Sequence, residues 1–327
     1  MTTKRKILQY IRKNQKVSPK EIADHFELSR QGVHKHLKSL LEKDKAYKVG
    51  KPPKVFYIAK KEKSEDTIDS YVSDIPKEVE NIIEDRFIDI SPSGEIKEGV
   101  AAFIDWCKKR DKNPKKEASD YVKILKKYDK IREDGLLNGM KKLEDTFDKV
   151  YLDKLFYLDF YSIERFGKTK LGKKLLYAKQ SQDKKMIKDL SKRIQPKVKR
   201  LIKKYNIDAV GFVPPTVDRK IQIMKELESN LNLKANKISI TKIKTEVVVP
   251  QKTLRKVEDR IENARNTFIV EEKNKHNNIL LIDDAVGSGS TLNEIAKQIK
   301  EKNIVNNKLI GFAITGSLKG FDVISEV

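Results

Sequence analysis

The fold of this chain is decided by one stretch of fourteen residues, Ile279-Leu280-Leu281-Ile282-Asp283-Asp284-Ala285-Val286-Gly287-Ser288-Gly289-Ser290-Thr291-Leu292. Its first four residues form a short apolar run, which predicts a strand buried on both faces. The Gly/Ser segment 287–290 interrupts this run, and a helix is expected to begin near Thr291. A buried strand that passes through a tight loop into a helix is typical of an α/β sheet.

Four more short apolar runs follow a change of pattern near residue 206. They occupy residues 209–213, 237–243, 267–270 and 309–314, and helical stretches separate them. Strands that alternate with helices predict parallel pairing, with helices packed on both faces of the sheet. We therefore expect an α/β fold with a mainly parallel, doubly wound sheet in the carboxy-terminal part of the chain.

The residues after the buried strand predict a phosphorylated ligand. Glycine backbone folds tightly around a phosphate, and a helix amino terminus and the hydroxyls of Ser288, Ser290 and Thr291 can donate to it. A P-loop has lysine after its last glycine, where this chain has Ser290, which disfavours a nucleoside triphosphate. Asp283 and Asp284 suit the hydroxyls of a ribose, so the implied ligand is a ribose 5-phosphate. The alternative is a tight connection without a ligand.

The first 60 residues carry the pattern of three helices followed by a hairpin. Ser18-Pro19-Lys20-Glu21 is a capping box with proline at the first helical position, and Ser29 is suited to cap the third helix. Two apolar runs flank the basic turn Gly50-Lys51-Pro52-Pro53-Lys54, which predicts two strands and a turn. This order resembles a winged helix-turn-helix module over residues 4–60.

The resemblance implies that the third helix enters the major groove of duplex DNA while the wing contacts its backbone or minor groove. Residues 1–63 carry 18 basic and 6 acidic side chains, which agrees with a polyanionic partner. The residues expected to face DNA are Arg30, Gln31, His34, Lys35, Lys38, Lys51 and Lys54. The alternative is a winged helix that binds protein and whose charges only solvate it.

The whole chain is strongly basic and poor in cysteine. It has 71 Lys and Arg against 48 Asp and Glu, a net charge of +23, which favours nucleic acid or phosphorylated ligands. The single cysteine, Cys107, excludes a disulfide framework and a Cys-rich zinc site. Because no long apolar run and no signal-like amino terminus is found, we expect a cytoplasmic protein without a membrane partner.

Residues 279–292 resemble the phosphoribosyl-pyrophosphate (PRPP) motif of type I phosphoribosyltransferases, because the apolar strand, acid pair, Gly-Ser-Gly loop and threonine occur in order. Two upstream segments narrow the resemblance to the ComF (competence protein F) branch. They are Val210-Gly211-Phe212-Val213-Pro214-Pro215, and the segment from Pro250-Gln251-Lys252-Thr253-Leu254 to Arg260-Ile261-Glu262-Asn263 before the aromatic Phe268. The resemblance covers residues 161–327.

The resemblance implies a PRPP site that uses Mg²⁺ on the pyrophosphate, with no direct protein ligand for the metal. The catalytic residues would be Asp283, Asp284 and Arg260. The 5′-phosphate would lie on Ala285, Val286, Gly287, Ser288, Gly289, Ser290 and Thr291. The pyrophosphate loop would comprise Pro214, Pro215, Thr216, Arg219 and Lys220. A flexible loop would contribute Lys252, Arg255 and Asn263, although an ordinary charged helix is the alternative for the Arg260 segment.

The chain departs from the ComF pattern at two points. That branch usually carries a four-cysteine zinc module at its amino terminus, which the winged helix replaces here. Its Gly-Phe-Asn-Gln element is not recognisable in Arg219-Lys220-Ile221-Gln222-Ile223, so the acceptor of the phosphoribosyl group is not predicted.

Charge and pattern divide the chain into three predicted parts. The net charge changes sign near Lys63, since residues 64–110 carry 6 basic and 12 acidic side chains. From residue 79 to about residue 204 the apolar spacing is mostly helical. We expect a winged helix over residues 1–63, a helical connecting region over 64–160 and a phosphoribosyltransferase-like domain over 161–327.

The combination predicts a DNA-binding, phosphoribosyltransferase-like protein that binds PRPP with Mg²⁺ and transfers or hydrolyses its phosphoribosyl group. One alternative is a PRPP-sensing transcription regulator without turnover. Another is an effector subunit of a nucleic-acid defence complex. The expected partners are PRPP and double-stranded DNA, and the expected assembly is a homodimer or a larger complex.

Overall fold

The computed structural model describes residues 2–60, 75–92, 94–215, 217–243 and 249–317. The chain divides into two compact units, Met1–Ala118 and Ser119–Val327. The predicted boundary at Lys63 and the predicted site residue Thr216 lie outside the described residues.

The winged helix expected at the amino terminus is confirmed. Its elements are α1 Thr3–Asn14, α2 Pro19–Phe26, α3 Arg30–Glu42, β1 Ala46–Lys51 and β2 Lys54–Ala59. The Ser18 hydroxyl accepts the Glu21 N–H at 3.2 Å, and the Glu21 carboxylate accepts the Ser18 N–H at 2.6 Å, which forms the predicted capping box. The antiparallel pair β1–β2 is extended by a bridge from Val17 to Tyr57.

The remainder of the first unit is a small helical layer with one hairpin. Its elements are α4 Lys77–Arg86, β3 Ile88–Ile90, β4 Ile96–Glu98, α5 Gly99–Lys108 and the start of α6 Pro114–Asp129. Phe103 contacts Phe87 edge-on and stacks with Trp106 in its core. Cys107 is buried and free, and burial raises the pKa of its thiol to about 12, so the cysteine is a packing residue.

The second unit contains most of the strands. Its elements after α6 are β5 Arg132–Glu133, β6 Leu136–Asn138, α7 Met140–Glu144, β7 Lys154–Phe160, β8 Ser162–Ile163, β9 Gly167–Lys168, α8 Lys170–Ser181, α9 Lys184–Lys204, β10 Ala209–Phe212, α10 Ile223–Leu231, β11 Asn236–Lys237, β12 Ile240–Lys242, a 3-10 helix Gln251–Thr253, α11 Val257–Thr267, β13 Phe268–Val270, β14 His276–Val286, α12 Ser290–Glu301 and β15 Val305–Gly316.

Seven of these strands form one mixed sheet, in the order β11-β10-β14-β15-β7-β6-β5. The five strands from β11 to β7 in this order are parallel to their neighbours. At the other edge of the sheet, β6 pairs antiparallel with β7, and β5 pairs antiparallel with β6. The expected α/β architecture with a mainly parallel sheet is therefore confirmed. The runs 237–243 and 267–270 differ from expectation, because β12 and β13 pair antiparallel with each other outside this sheet, and only Lys237 of the first run belongs to β11.

Three strands of the sheet, β5, β6 and β7, come from residues 79–204, which were expected to be mostly helical. The strand β7 contains Leu155, Phe156 and Tyr157, all of them buried. A continuous apolar run buried on both faces has neither the alternation of a half-exposed strand nor a polar side, so periodicity does not distinguish it from a buried helix. The helical expectation was wrong for β5, β6 and β7, and also for the short hairpins β3–β4 and β8–β9.

Helices cover both faces of the sheet. On one face α8, α9 and α10 pack against β14 and β15 through residues such as Leu175, Ile194 and Met224. On the other face Leu292 of α12 lies over Gly311 of β15. Because β14 is central and covered on both sides, Leu280 and Leu281 are fully buried.

The aspartate Asp208 ties the starts of β10 and β14 together, and it generates a prediction. Its carboxylate accepts the backbone N–H groups of Asn277 at 2.9 Å and Asn278 at 2.7 Å. Burial acts to raise the pKa of Asp208, but these hydrogen bonds outweigh it and hold the pKa below its usual value. We expect Asp208→Asn to lower the free energy of unfolding by about 1–3 kcal/mol at neutral pH.

The loss should depend on pH, because a carboxylate with a lowered pKa stabilises the fold only while it is ionised. The difference between wild type and Asp208→Asn should shrink as the pH falls below about 4. Urea unfolding at several pH values measures it. Asp189→Asn, which changes an exposed aspartate of α9, is the control, and equal effects of both substitutions would contradict the prediction.

Candidate ligand pocket and DNA-binding surface

A crevice opens in the sheet because two neighbouring parallel strands have unequal lengths. The strand β10 ends at Phe212, opposite Ile282 of β14, and the Val213 N–H makes the last bond, to the Ile282 carbonyl at 2.9 Å. Pro214 and Pro215 follow, and neither has an N–H to donate. The strand β14 continues to Val286, paired only with β15.

This crevice lies where the direction of the chain reverses. From β10 the chain passes through α10 to β11 on one side, and from β14 it passes through α12 to β15 on the other. In open α/β sheets, ligands bind outside the carboxyl ends of the strands at such a switch point.

The pocket at this point contains part of the predicted site and several residues that were not predicted. Seven predicted residues line it, namely Pro214, Pro215, Arg219, Asp283, Asp284, Ala285 and Thr291. Residues without a predicted role line it as well, among them Tyr161, Lys179, Gln180, Gln222, Gln251 and Phe268. No sequence signal marks Lys179 or Gln180, since both belong to an ordinary lysine-rich helix far from β14 in the chain.

The acid pair is held in one arrangement by local bonds. The Asp283 carboxylate accepts the N–H of Asp284 at 2.7 Å, and the Asp284 carboxylate lies 2.7 Å from Nζ of Lys179. Burial, with the negative charge of Asp284 beside it, raises the pKa of Asp283 to about 8. The surroundings of Asp283 therefore favour its protonated form, next to the ion pair of Asp284 with Lys179.

The Gly/Ser loop between β14 and α12 is closely packed. Gly289 has φ of +89°, and a Cβ atom there would lie 2.3 Å from Cδ2 of Leu143, so only glycine fits. The buried hydroxyls of Ser288 and Ser290 lie 2.5 Å apart and bond to each other. Thr291 is the loop hydroxyl that reaches the pocket, because Ser288 and Ser290 do not line it.

The loop after β10 is attached to the end of α8. Arg219 donates through Nη1 to the Lys179 carbonyl at 3.3 Å, and the Ile221 N–H donates to the Gln182 side chain at 3.0 Å. Arg219 therefore reaches the pocket from a fixed loop. Lys220, predicted beside it, is exposed and does not line the pocket.

Arg255, Arg260 and Asn263 were predicted on or beside a flexible loop, and none of the three lines the pocket. Arg260 is buried, and its Nε donates to the Leu254 carbonyl at 2.9 Å, while Gln251 donates to the Arg260 carbonyl at 2.9 Å. Arg260 thus supports residues 251–254, and Gln251 lines the pocket. The catalytic role of Arg260 stays a prediction.

The other members of that loop lie further out. Arg255 is exposed, and Asn263 donates to the Val249 carbonyl at 3.3 Å. The side chain of Lys252 lies outside the described residues. Within the described ranges, no cluster of three or more His, Cys, Asp or Glu side chains could hold a metal ion.

The winged helix presents its predicted DNA-facing residues to solvent. Val33, Leu37 and Leu40 bury one side of α3. The residues of the opposite side are exposed, and these are Arg30, Gln31, His34, Lys35 and Lys38. Gly50, with φ of +87°, allows the tight turn between β1 and β2, at which Lys51 and Lys54 are exposed.

Comparison with known proteins supports the assignment of the amino-terminal winged helix. Residues 2–45 match a family described as winged helix-turn-helix DNA-binding. No curated protein matches the chain. The chain therefore carries a winged helix-turn-helix DNA-binding domain, and the structure adds the wing hairpin, which follows the matched residues. Across the described part of the chain, every helix is too short or too polar to cross a bilayer.

The exposed side of α3 predicts two kinds of substitution effect. Lys35→Ala with Lys38→Ala should weaken binding to all duplex sequences and make the slope of log affinity against log salt less negative by about 0.9 per lost phosphate contact. Arg30→Ala or Gln31→Ala should mainly reduce discrimination between sequences, because these side chains can bond base edges. Salt titrations on specific and random duplexes separate the two effects. Uniform weakening by all four substitutions would contradict the assignment.

The raised pKa of Asp283 predicts a stability effect of the opposite sign to that of Asp208. A carboxyl group with a raised pKa favours folding below its unfolded pKa, and this contribution is lost as the pH rises toward about 8. Asp283→Asn should therefore raise the unfolding midpoint at pH 8, by about 2–4 °C for each kcal/mol gained, and change it little near pH 4. Thermal unfolding of both proteins across this range measures the effect. A lower midpoint for the variant at pH 8 would contradict it.

Proposed function

We propose that the second unit binds PRPP with Mg²⁺ and transfers or hydrolyses its phosphoribosyl group, in a chain that also binds DNA. One observation carries the proposal. Two segments that carry the resemblance, Pro214-Pro215 after β10 and Asp283-Asp284 in β14, meet across one crevice although they lie far apart in the sequence. Chance resemblance of separate segments would not require them to share a pocket.

The residues of the crevice suit the parts of PRPP. The first turn of α12, with Thr291 at the pocket, offers N–H and hydroxyl donors to a 5′-phosphate, and this turn holds no acidic residue. The acid pair offers acceptors to the ribose hydroxyls. Arg219 and Lys179 offer positive charge to the pyrophosphate. Mg²⁺ would neutralise the pyrophosphate and stabilise it as a leaving group.

The ion pair between Lys179 and Asp284 gives the site a resting state. In the free protein the ammonium group of Lys179 compensates the charge of Asp284 at 2.7 Å. Ribose hydroxyls that bond to Asp284 would compete with Lys179 for the same carboxylate. A displaced Lys179 would then lie beside an anionic ligand, so its charge would be compensated in both states.

A PRPP-sensing regulator without turnover is the second candidate. One observation favours it, because the side chain of Arg260 donates to the Leu254 carbonyl and does not line the pocket. The DNA-binding domain suits either function. Catalysis and sensing share the PRPP site and differ in whether pyrophosphate is released.

The acid pair supplies the main test of ligand binding. We expect the double substitution Asp283→Asn with Asp284→Asn to abolish PRPP binding, measured by calorimetry with Mg²⁺, because the amide of Asn at position 284 offers one acceptor oxygen where the carboxylate offers two, and neither amide can carry a negative charge. The matched control is Asp24→Asn with Asp189→Asn, which removes two exposed carboxylates elsewhere. Affinity equal to that of the wild type in the acid-pair variant would disprove the proposed site.

Turnover needs a separate experiment on the wild-type protein. The protein is incubated with Mg²⁺, PRPP and a panel of bases, nucleic acids and proteins, and pyrophosphate release is monitored. Release that depends on one acceptor, or on water alone, supports transfer or hydrolysis. Binding of PRPP without release across the panel supports the sensor.

A further inference from the structure

The helix α9 (Lys184–Lys204) has an unusual charge for its length. It contains ten Lys or Arg residues and one acidic residue, Asp189, a net charge of +9. One side of the helix is buried in the core of the second unit through residues such as Ile187, Ile194 and Val198. The positive charge is therefore confined to the side that faces solvent.

Five lysines form a line along this exposed side, which we call the lysine stripe. Its members are Lys185, Lys188, Lys192, Lys199 and Lys203, and all five are exposed. Their spacings of three, four, seven and four positions keep them within an arc of about 60° on an α-helix, and the stripe is about 27 Å long. Ile187, Ile194 and Val198 lie on the opposite side of the helix.

The stripe is not neutralised within the described part of the chain. Ion pairs are formed at its flanks, by Lys184 with Glu226 at 2.9 Å and by Lys204 with Asp134 at 2.5 Å. No described carboxylate lies within ion-pair distance of the five stripe lysines. Like charges three and four positions apart repel each other, so a bound polyanion would stabilise this side of the helix.

We propose that the lysine stripe binds the sugar-phosphate backbone of duplex DNA, as a second DNA contact apart from α3 and the wing. Lysine is a compact point charge that contacts phosphates without reading bases, and a straight row of lysines suits a row of phosphates. The same chain carries a DNA-binding domain, so duplex DNA bound by that domain is a polyanion that the stripe can contact.

The composition of the exposed side argues against an anionic membrane as the occupant. A helix that lies on a membrane needs large apolar residues beside its basic ones. The exposed residues of α9 are lysines and arginines with Asp189 and Pro196, while Met186 and Ile202 are partly buried. The stripe is therefore suited to a polyanion that stays in water.

The test compares two full-length variants of equal charge. The stripe variant carries K185Q, K188Q, K192Q, K199Q and K203Q. The control variant carries K115Q, K116Q, K123Q, K130Q and K225Q, which neutralise five exposed lysines outside α9. Glutamine keeps a good helix propensity, and thermal unfolding checks that both variants are folded.

The stripe variant should bind random-sequence duplex DNA with a salt slope less negative by up to about 4.5, at about 0.9 per lost contact. The ratio of specific to random affinity should stay unchanged, because the stripe reads no bases. The control variant should change the slope much less. Equal slopes for the two variants would overturn the proposal.

A second measurement uses the wild-type protein and does not depend on the folding of a variant. Surface amines are acetylated with and without duplex DNA, and the modified lysines are identified by mass spectrometry. Bound DNA should protect the stripe lysines and leave Lys115, Lys116 and Lys225 reactive. Stripe lysines that react equally in both samples would overturn the proposal, as would protection by phosphatidylserine vesicles but not by DNA. Neither experiment needs PRPP, so the result does not depend on the proposed ligand of the pocket.

Discussion

The early end of strand β10 is the constraint on which the pocket depends. Two prolines follow Val213, and without N–H groups they cannot extend the pairing with β14. The strand β14 passes beyond that point, supported by β15 alone, and it carries the acid pair into the open crevice. If β10 paired with β14 along the same length as β15 does, it would cover the edge of β14 on which the ligand is proposed to bind.

The electrostatics of the crevice follow from this geometry. The acid pair follows Ile279–Ile282, which are fully buried, so the carboxyl groups lie next to a medium that solvates charge poorly. Burial favours the protonated form of Asp283, and Lys179 compensates the charge of Asp284. Such an arrangement costs stability at alkaline pH, and carboxyl groups with shifted pKa values of this kind cluster at functional sites.

The positive charge of the chain is concentrated on particular surfaces. In the first unit, the basic residues of α3 and the wing surround a small core of α1 to α3. In the second unit, α9 carries the lysine stripe, on a helix whose other side is part of the core. Both helices are anchored by apolar residues and expose their cations, so each can bind an anionic backbone without losing its packing.

The sequence predicted those helices and strands that are specified by neighbouring residues in the chain. The capping box at Ser18, the cap at Ser29 and the run Ile279–Ile282 each identify an element because neighbouring residues satisfy or bury one another. The acid pair and its glycine loop could also be read, since they follow the strand directly. The basic residues of α9 could also be counted in the sequence. That five of its lysines lie in one line on the side away from the core became clear only once the bounds and the buried side of the helix were known.

Tertiary structure decided which distant residues meet. The sequence does not state that β7 lies beside β15, because a run buried on both faces carries no period that separates strand from helix. It does not state that Lys179 reaches Asp284, because that contact depends on where α8 packs on the sheet, or that Arg260 turns toward Leu254, because that contact depends on how residues 251–254 fold against α11. The sequence alone determined the local elements and the chemistry available to a site, while packing alone decided which of those groups face the pocket and which support the loops around it.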